Sequence, residues 1–205
     1  MPREAYKHAM DSFVGAASKV GPAQWDLPTL GEWSVRDLVG HTARAMLTVP
    51  QFAARAAAAP PKTIDISSPA AYYQRAFVGE GTSERIAERG RQTAASLEPD
   101  LPAAVAQVSA EVAALIDTLP DDFIFASLIG GIRLVDYLPT RTLELVVHTL
   151  DLQAAIGVDG SPPRDAMLST LRLLADLAVD TPHAGRLALL ATGRNAWSEP
   201  FSVID

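Results

Sequence analysis

Arg141-Thr142-Leu143-Glu144-Leu145-Val146-Val147-His148-Thr149-Leu150-Asp151-Leu152 lies inside the strongest helical pattern of the chain. The spacing predicts a helix over about 137–156 that stops at Gly157. In a helix, positions four apart share a face, so the Glu144 carboxylate and the His148 imidazole point the same way. Every residue between them is apolar. A carboxylate on an apolar helix face is costly to bury without a partner, and a bound cation would supply one. A Glu/His pair at this spacing is also common on a solvated face, and the spacing alone leaves both readings open.

The rest of the chain extends the helical reading in both directions. Residues 3–20 form a first stripe through Ala5, Ala9 and Phe13, stopped by Gly21-Pro22. Ser34, with Asp37 three positions on, is a helix start of the capping-box kind. The helix it opens is expected to run through His41 towards Ala59, kinked near Pro50. A short helix is expected over Pro69–Phe77, a charged one over Ser83–Ser96, and a clear one over 103–119 with Val105, Val108, Val112, Leu115 and Leu119 inward. Phe123–Leu134 turns over Gly130-Gly131 as a hairpin or extended excursion. After Ser161-Pro162-Pro163 another helix spans 163–180, with Leu168, Leu171, Leu174, Leu177 and Ala178 inward. Leu187–Ala191 and Phe201–Ile204 read as two short strands around Gly193. The expected fold class is mainly α: a helical bundle over 1–182 with a short C-terminal extension of two small strands over 183–205.

Composition narrows the function classes. The chain has 205 residues, a net charge of −7 and no cysteine. Disulfides, thiolate metal sites and a catalytic cysteine are therefore excluded. Lys and Arg are scattered rather than massed, so nucleic acid is not an expected partner. No signal-peptide pattern opens the chain and no membrane span is expected, which leads to a cytoplasmic assignment.

His41 is the third residue of interest. It falls mid-helix beside Leu38 and Ala45, where a histidine serves either as a satisfied core residue or as a ligand. Spacing cannot show whether its helix meets the one carrying Glu144 and His148. His8, among polar neighbours, and His183, in a loop after Thr181-Pro182, are weaker candidates.

Trp33-Ser34-Val35-Arg36-Asp37-Leu38-Val39-Gly40-His41 resembles the first signature of the mycothiol-dependent maleylpyruvate isomerase family, within the DinB-like superfamily. The stretch Arg141–Leu152 is similar to that family's second signature. The loop holding Trp25 and Pro28-Thr29 fits as well, and so does the tail from Thr192-Gly193-Arg194 to Phe201-Ser202-Val203. The resemblance implies a DinB-like four-helix bundle with a divalent metal, often zinc, held by His41, Glu144 and His148. Three protein ligands with one open position are typical of catalytic metal sites. The resemblance also implies a low-molecular-weight thiol cofactor, mycothiol. A chain without cysteine has to take any sulfur nucleophile from such a cofactor. The family's characterised isomerases carry a fuller C-terminal domain, which points away from maleylpyruvate itself and leaves the metal site untouched.

Two neighbours complete the candidate site. Asp151, three positions after His148, is placed to orient that imidazole, or else is a surface residue near the helix end. Arg141, one turn before Glu144, is placed to meet an anionic substrate or cofactor carboxylate, or else to pair with a carboxylate of the chain. Both are candidate catalytic residues, and Arg141 is also a candidate cofactor contact. The expected function is a metal- and thiol-dependent transferase or isomerase acting on a small electrophilic molecule, as a monomer or homodimer. A metal-dependent hydrolase and a non-catalytic metal- or ligand-binding bundle are the alternatives.

Overall fold

A computed structural model describes residues 1–76, 82–194 and 202–204. Four helices form the central bundle: α1 (Pro2–Ala17), α2 (Val35–Ala58), α5 (Leu101–Thr118) and α6 (Leu134–Ile156). Both α1 and α2 pack against α5 and α6, which closes the four into a ring. Around it, α3 (Pro69–Ala76) lies on α6, α4 (Thr82–Leu97) lies along α2, and α7 (Arg164–Ala178) lies on α1 and α6. The expected mainly helical fold is the one observed.

Local chemistry explains the boundaries that position the site. Ser34 accepts a hydrogen bond from the Asp37 backbone N–H, and the Asp37 carboxylate accepts one from the Ser34 N–H. This reciprocal cap fixes the start of α2 two turns before His41. The helix continues through Pro50 to Ala58. Gly157, at φ 69°, ends α6 in the left-handed conformation that glycine adopts without Cβ strain. At its other end α6 starts at Leu134, a turn earlier than expected, because the preceding strand runs directly into it. Asp136 occupies its first turn and pairs with Arg133 at 2.6 Å.

The hairpin is β1 (Ile124–Ser127) and β2 (Gly130–Arg133), antiparallel, with Ile124 opposite Arg133 and Ser127 opposite Gly130. The segment before α3 straps it down. Asp65 accepts a 2.7 Å hydrogen bond from the Gly131 N–H, and a Cβ on Gly131 would stand 2.2 Å from the Thr63 carbonyl oxygen. Only glycine allows that approach.

Three expectations need correction. Leu187–Ala191 is not a strand but part of α8 (Ala184–Ala191), in keeping with a Leu/Ala run that contains no β-branched residue. Among the described residues, the two strands are those of the hairpin instead. Phe201 lies outside the described residues, and Ser202–Ile204 has no regular structure, although Val203 and Ile204 pack beside Tyr73, Leu143, Leu173 and Leu177.

On α7 the buried stripe is Ala166, Thr170, Leu173, Leu177 and Ala178, whereas Leu168 and Leu171 are exposed. Steps of three residues precess around a helix by about 60° each, so the 168–171–174–177 series leaves the core face.

The third correction concerns the inward face of α5, a helix that by length and composition alone is apolar enough to cross a membrane. Its stripe of Leu101, Val105, Ser109, Val112 and Ile116 is nonetheless buried against α1 and α2. Arg3 of α1 also donates to the Ile116 and Leu119 carbonyls at its end. Val108, Leu115 and Leu119 flank the stripe only partly buried.

Candidate metal centre

The helices α2 and α6 meet where the sequence could not place them. Nε2 of His41 lies 3.6 Å from Oε2 of Glu144, and Nε2 of His148 lies 3.4 Å from the same oxygen. The two imidazoles stand edge to face with centroids 4.9 Å apart. The three donor atoms all fall within 4.8 Å of one another. Around a tetrahedral zinc with bonds of about 2.0–2.2 Å, ligand atoms stand roughly 3.3–3.6 Å apart. The donor set and its spacing fit a divalent ion.

Each donor is oriented from outside the triad. Nδ1 of His148 hydrogen-bonds Oδ2 of Asp151 at 3.0 Å, which turns Nε2 towards Glu144. The Tyr73 hydroxyl lies 2.8 Å from the other oxygen of Glu144, Oε1, and 3.1 Å from the Thr140 carbonyl. Oε1 is thereby engaged, and Oε2 is left facing the imidazoles. The Trp33 ring packs on His41 with centroids 4.7 Å apart. The Nδ1 of His41 is buried with no hydrogen-bond partner among the described residues.

The position of His41 depends on two glycines. A Cβ on Gly40 would come within 2.4 Å of the Gly90 carbonyl oxygen and 2.6 Å of Ala94 Cβ. A Cβ on Gly90 would stand 3.2 Å from His41 Cβ. Close packing of α2 on α4 therefore requires small residues at this crossing, one position from the candidate ligand.

Electrostatics follow from this enclosure. Burial pulls the His41 imidazole below its ordinary pKa, more than its contact with Glu144 raises it. Burial acts the same way on His148, but hydrogen bonds to Asp151 and Glu144 outweigh it and lift that imidazole to about 9. Burial alone would raise Glu144, yet His148, His41 and Arg141 together hold its carboxyl well below the usual range. Without a metal, these directions favour a partly buried carboxylate–imidazolium pair beside a neutral imidazole.

Arg141 does not pair with a carboxylate among the described residues. Its guanidinium lies beside the edge-to-face pair of Tyr72 and Tyr137, 5.3 and 5.1 Å from their ring centroids, and its Nε donates to Thr140 Oγ1 at 3.0 Å. It lines, together with His41 and Glu144, a cavity of about 180 Å³. Tyr72 and Ala76 of α3 and Leu128 and Ile129 of the hairpin complete part of the wall.

His8 instead pairs with Asp165 at 2.8 Å. His183 precedes α8, and neither histidine belongs to the cluster. Sequence reasoning missed Tyr73, Gly40, Gly90, Arg44 and Arg89. Arg44, three positions after His41 on the same helix face, was legible in principle; the others needed the packing of α3 and α4.

A helical bundle with a three-donor cluster of two imidazoles and a carboxylate beside a cavity is the class that fold and site define. Residues 6–153 match the family model of the mycothiol maleylpyruvate isomerase N-terminal domain, and the chain belongs to that family. No curated protein and no solved structure matches it.

Proposed function

We propose that this protein is a divalent-metal-dependent, thiol-using transferase or isomerase that acts on a small electrophile in the cytoplasm. The observation that supports this reading best is the convergence of His41 Nε2, Glu144 Oε2 and His148 Nε2 beside a cavity. These three residues would hold the metal, zinc being the ion their donor set suits best. When bound, such an ion supplies a Lewis-acidic position at which an external thiol ionises near neutral pH. With no cysteine in the chain, that thiol comes from a low-molecular-weight cofactor, and family membership favours mycothiol.

The chain's own residues have separable tasks in this reading. Asp151 holds the His148 ring and keeps its Nδ1 occupied, so Nε2 is the free donor. Tyr73 restrains Glu144 to binding through one oxygen. Arg141, packed against the Tyr72 and Tyr137 rings, presents a positive charge to the cavity. Phe52, Tyr72, Ile86 and Ile129 supply the apolar part of the wall against which the electrophile would lie.

Elemental analysis of purified protein tests the metal. Near-stoichiometric zinc or another divalent ion in wild type, lost in His41→Ala and Glu144→Ala, is the expected result. The thiol is tested next, by titrating mycothiol into the zinc form; unchanged affinity in His148→Ala would overturn the thiol reading. Turnover of activated esters without added thiol would identify a hydrolase. Tight metal binding without turnover in either assay would identify a binding module.

A further inference from the structure

The cavity beside the triad carries more positive charge than the one arginine the proposed chemistry uses. Its wall receives Arg44 from α2, Arg89 from α4 and Arg141 from α6, against a single carboxylate, Glu144. Among the described residues, no carboxylate comes within 4.0 Å of any of these three guanidiniums. Their hydrogen bonds are few. Arg44 Nη1 reaches Thr93 Oγ1 at 3.5 Å, Arg89 Nε donates to the Arg85 carbonyl at 3.1 Å, and Arg141 Nε donates to Thr140. In a chain of net charge −7, this gathering runs against the average. Like charges brought together without a counter-charge repel, and the repulsion is relieved when an anion enters. The charge on Arg44 is disfavoured by burial first, and then by Arg89 and Arg141.

Apart from His41 and Thr48 the remaining wall is mostly apolar, with Phe52, Tyr72 and Ile86 prominent. The volume, about 180 Å³, slightly exceeds the ~150 Å³ void known to accept benzene. A ligand that suits this space has one anionic end and a compact apolar or unsaturated body.

We propose that Arg44, Arg89 and Arg141 form an anion-binding subsite that seats the carboxylate of a small organic acid, its apolar body lying against Phe52, Tyr72 and Ile86. As a substrate subsite this rests on the metal-dependent function proposed above; as an anion site it stands without the metal. Arg141 is fixed by its stacking, whereas Arg89 reaches the cavity because α4 packs tightly on α2 at Gly40 and Gly90. Charge at positions 44 and 89 thus determines which small electrophiles are accepted, and neutral analogues are excluded by the unpaired guanidiniums they would leave.

Calorimetric titration of benzoate and its neutral analogue benzamide tests this, using full-length protein in zinc-loaded and chelator-treated forms. Benzoate is expected to bind both forms of the wild type with similar affinity. Arg44→Gln and Arg89→Gln should each weaken it at least tenfold, Arg89→Lys should weaken it less, and benzamide should bind all forms equally poorly. Zinc content of the arginine variants should match wild type. Equal binding of benzoate and benzamide, or benzoate binding that needs zinc and ignores Arg44→Gln and Arg89→Gln, would overturn the subsite. Inorganic phosphate binding more tightly than benzoate would overturn the organic-acid assignment. A protein that takes up no zinc would refute the metal reading alone, because the benzoate titration on the metal-free form still decides the subsite.

Discussion

The Tyr73 hydroxyl sits 2.8 Å from Oε1 of Glu144, the oxygen that does not face the two histidines. A buried carboxylate with one oxygen held this way has a single orientation to offer an ion. Tyr73 is itself buried, within a small cluster with Leu143, Leu173 and Leu177, so its ring is held by packing independent of the hydroxyl. Tyr73→Phe keeps that packing and releases Oε1. Affinity for zinc, measured by competition with a chromogenic chelator, should fall about 10-fold, within the 10–100-fold typical of such outer contacts. Unchanged affinity would mean that the hydroxyl serves the Thr140 carbonyl instead.

Asp151 acts on the opposite donor. The hydrogen bond to its carboxylate is the first of the interactions that outweigh burial and hold the His148 imidazole above its ordinary value, with Glu144 acting in the same direction. Asp151→Asn keeps a hydrogen-bonding side chain and removes the charge. In metal-free protein the His148 pKa, followed by NMR, should drop from about 9 towards 6.5, and zinc affinity should weaken by 10-fold or more. A His148 titration that is the same in the variant would show that Glu144 alone sets it.

What the sequence disclosed of this site was whatever one helix could hold. Glu144, His148 and Asp151 share α6, so their mutual geometry follows from helical spacing and was readable directly. His41 could be placed mid-helix from the Ser34–Asp37 cap, but its meeting with Glu144 is a matter of bundle packing that only family resemblance anticipated. Arg89 and Tyr73 reach the site on α4 and α3, helices outside the central bundle whose patterns fix their existence and not their docking. The tail failed for another reason. A Leu/Ala run suits a short helix and a short strand equally by hydrophobicity, and local propensity decided for the helix α8.

The crossing of α2 and α4 makes a steric prediction. Gly40→Ala places a methyl group 2.4 Å from a backbone oxygen that cannot rotate away, so the helices must separate. Overpacking of this kind costs about 1–3 kcal/mol. Thermal unfolding should occur at lower temperature, and zinc affinity should fall too, since His41 adjoins the strained position. Gly15→Ala, where an added Cβ meets nothing within 4 Å, is the matched control and should be neutral or slightly stabilising. Equal melting temperatures for the two variants would show that the crossing is looser than the geometry implies.

The ionisation of the triad makes the metal-free protein respond to pH in two opposite senses. His41 is held below its ordinary value of 6.5, so the fold resists its protonation and gains stability as pH rises to about that value. His148 is held above it, at about 9. Its contribution is therefore complete below pH 6.5 and is lost as pH rises through about 9. A shift of that size corresponds to a few kcal/mol at most. Metal binding reverses the second trend, because coordination requires His148 to give up its proton while His41 and Glu144 are already in their binding forms. Denaturant unfolding of chelator-treated protein should show maximal stability near pH 6.5, declining towards pH 9, with the gap between zinc-loaded and metal-free protein widening over the same interval. Calorimetry at pH 7 in buffers of different ionisation enthalpy should report release of about one proton per zinc bound. Release of none would place His148 among the neutral imidazoles and remove the buried ion pair with Glu144 from the metal-free state.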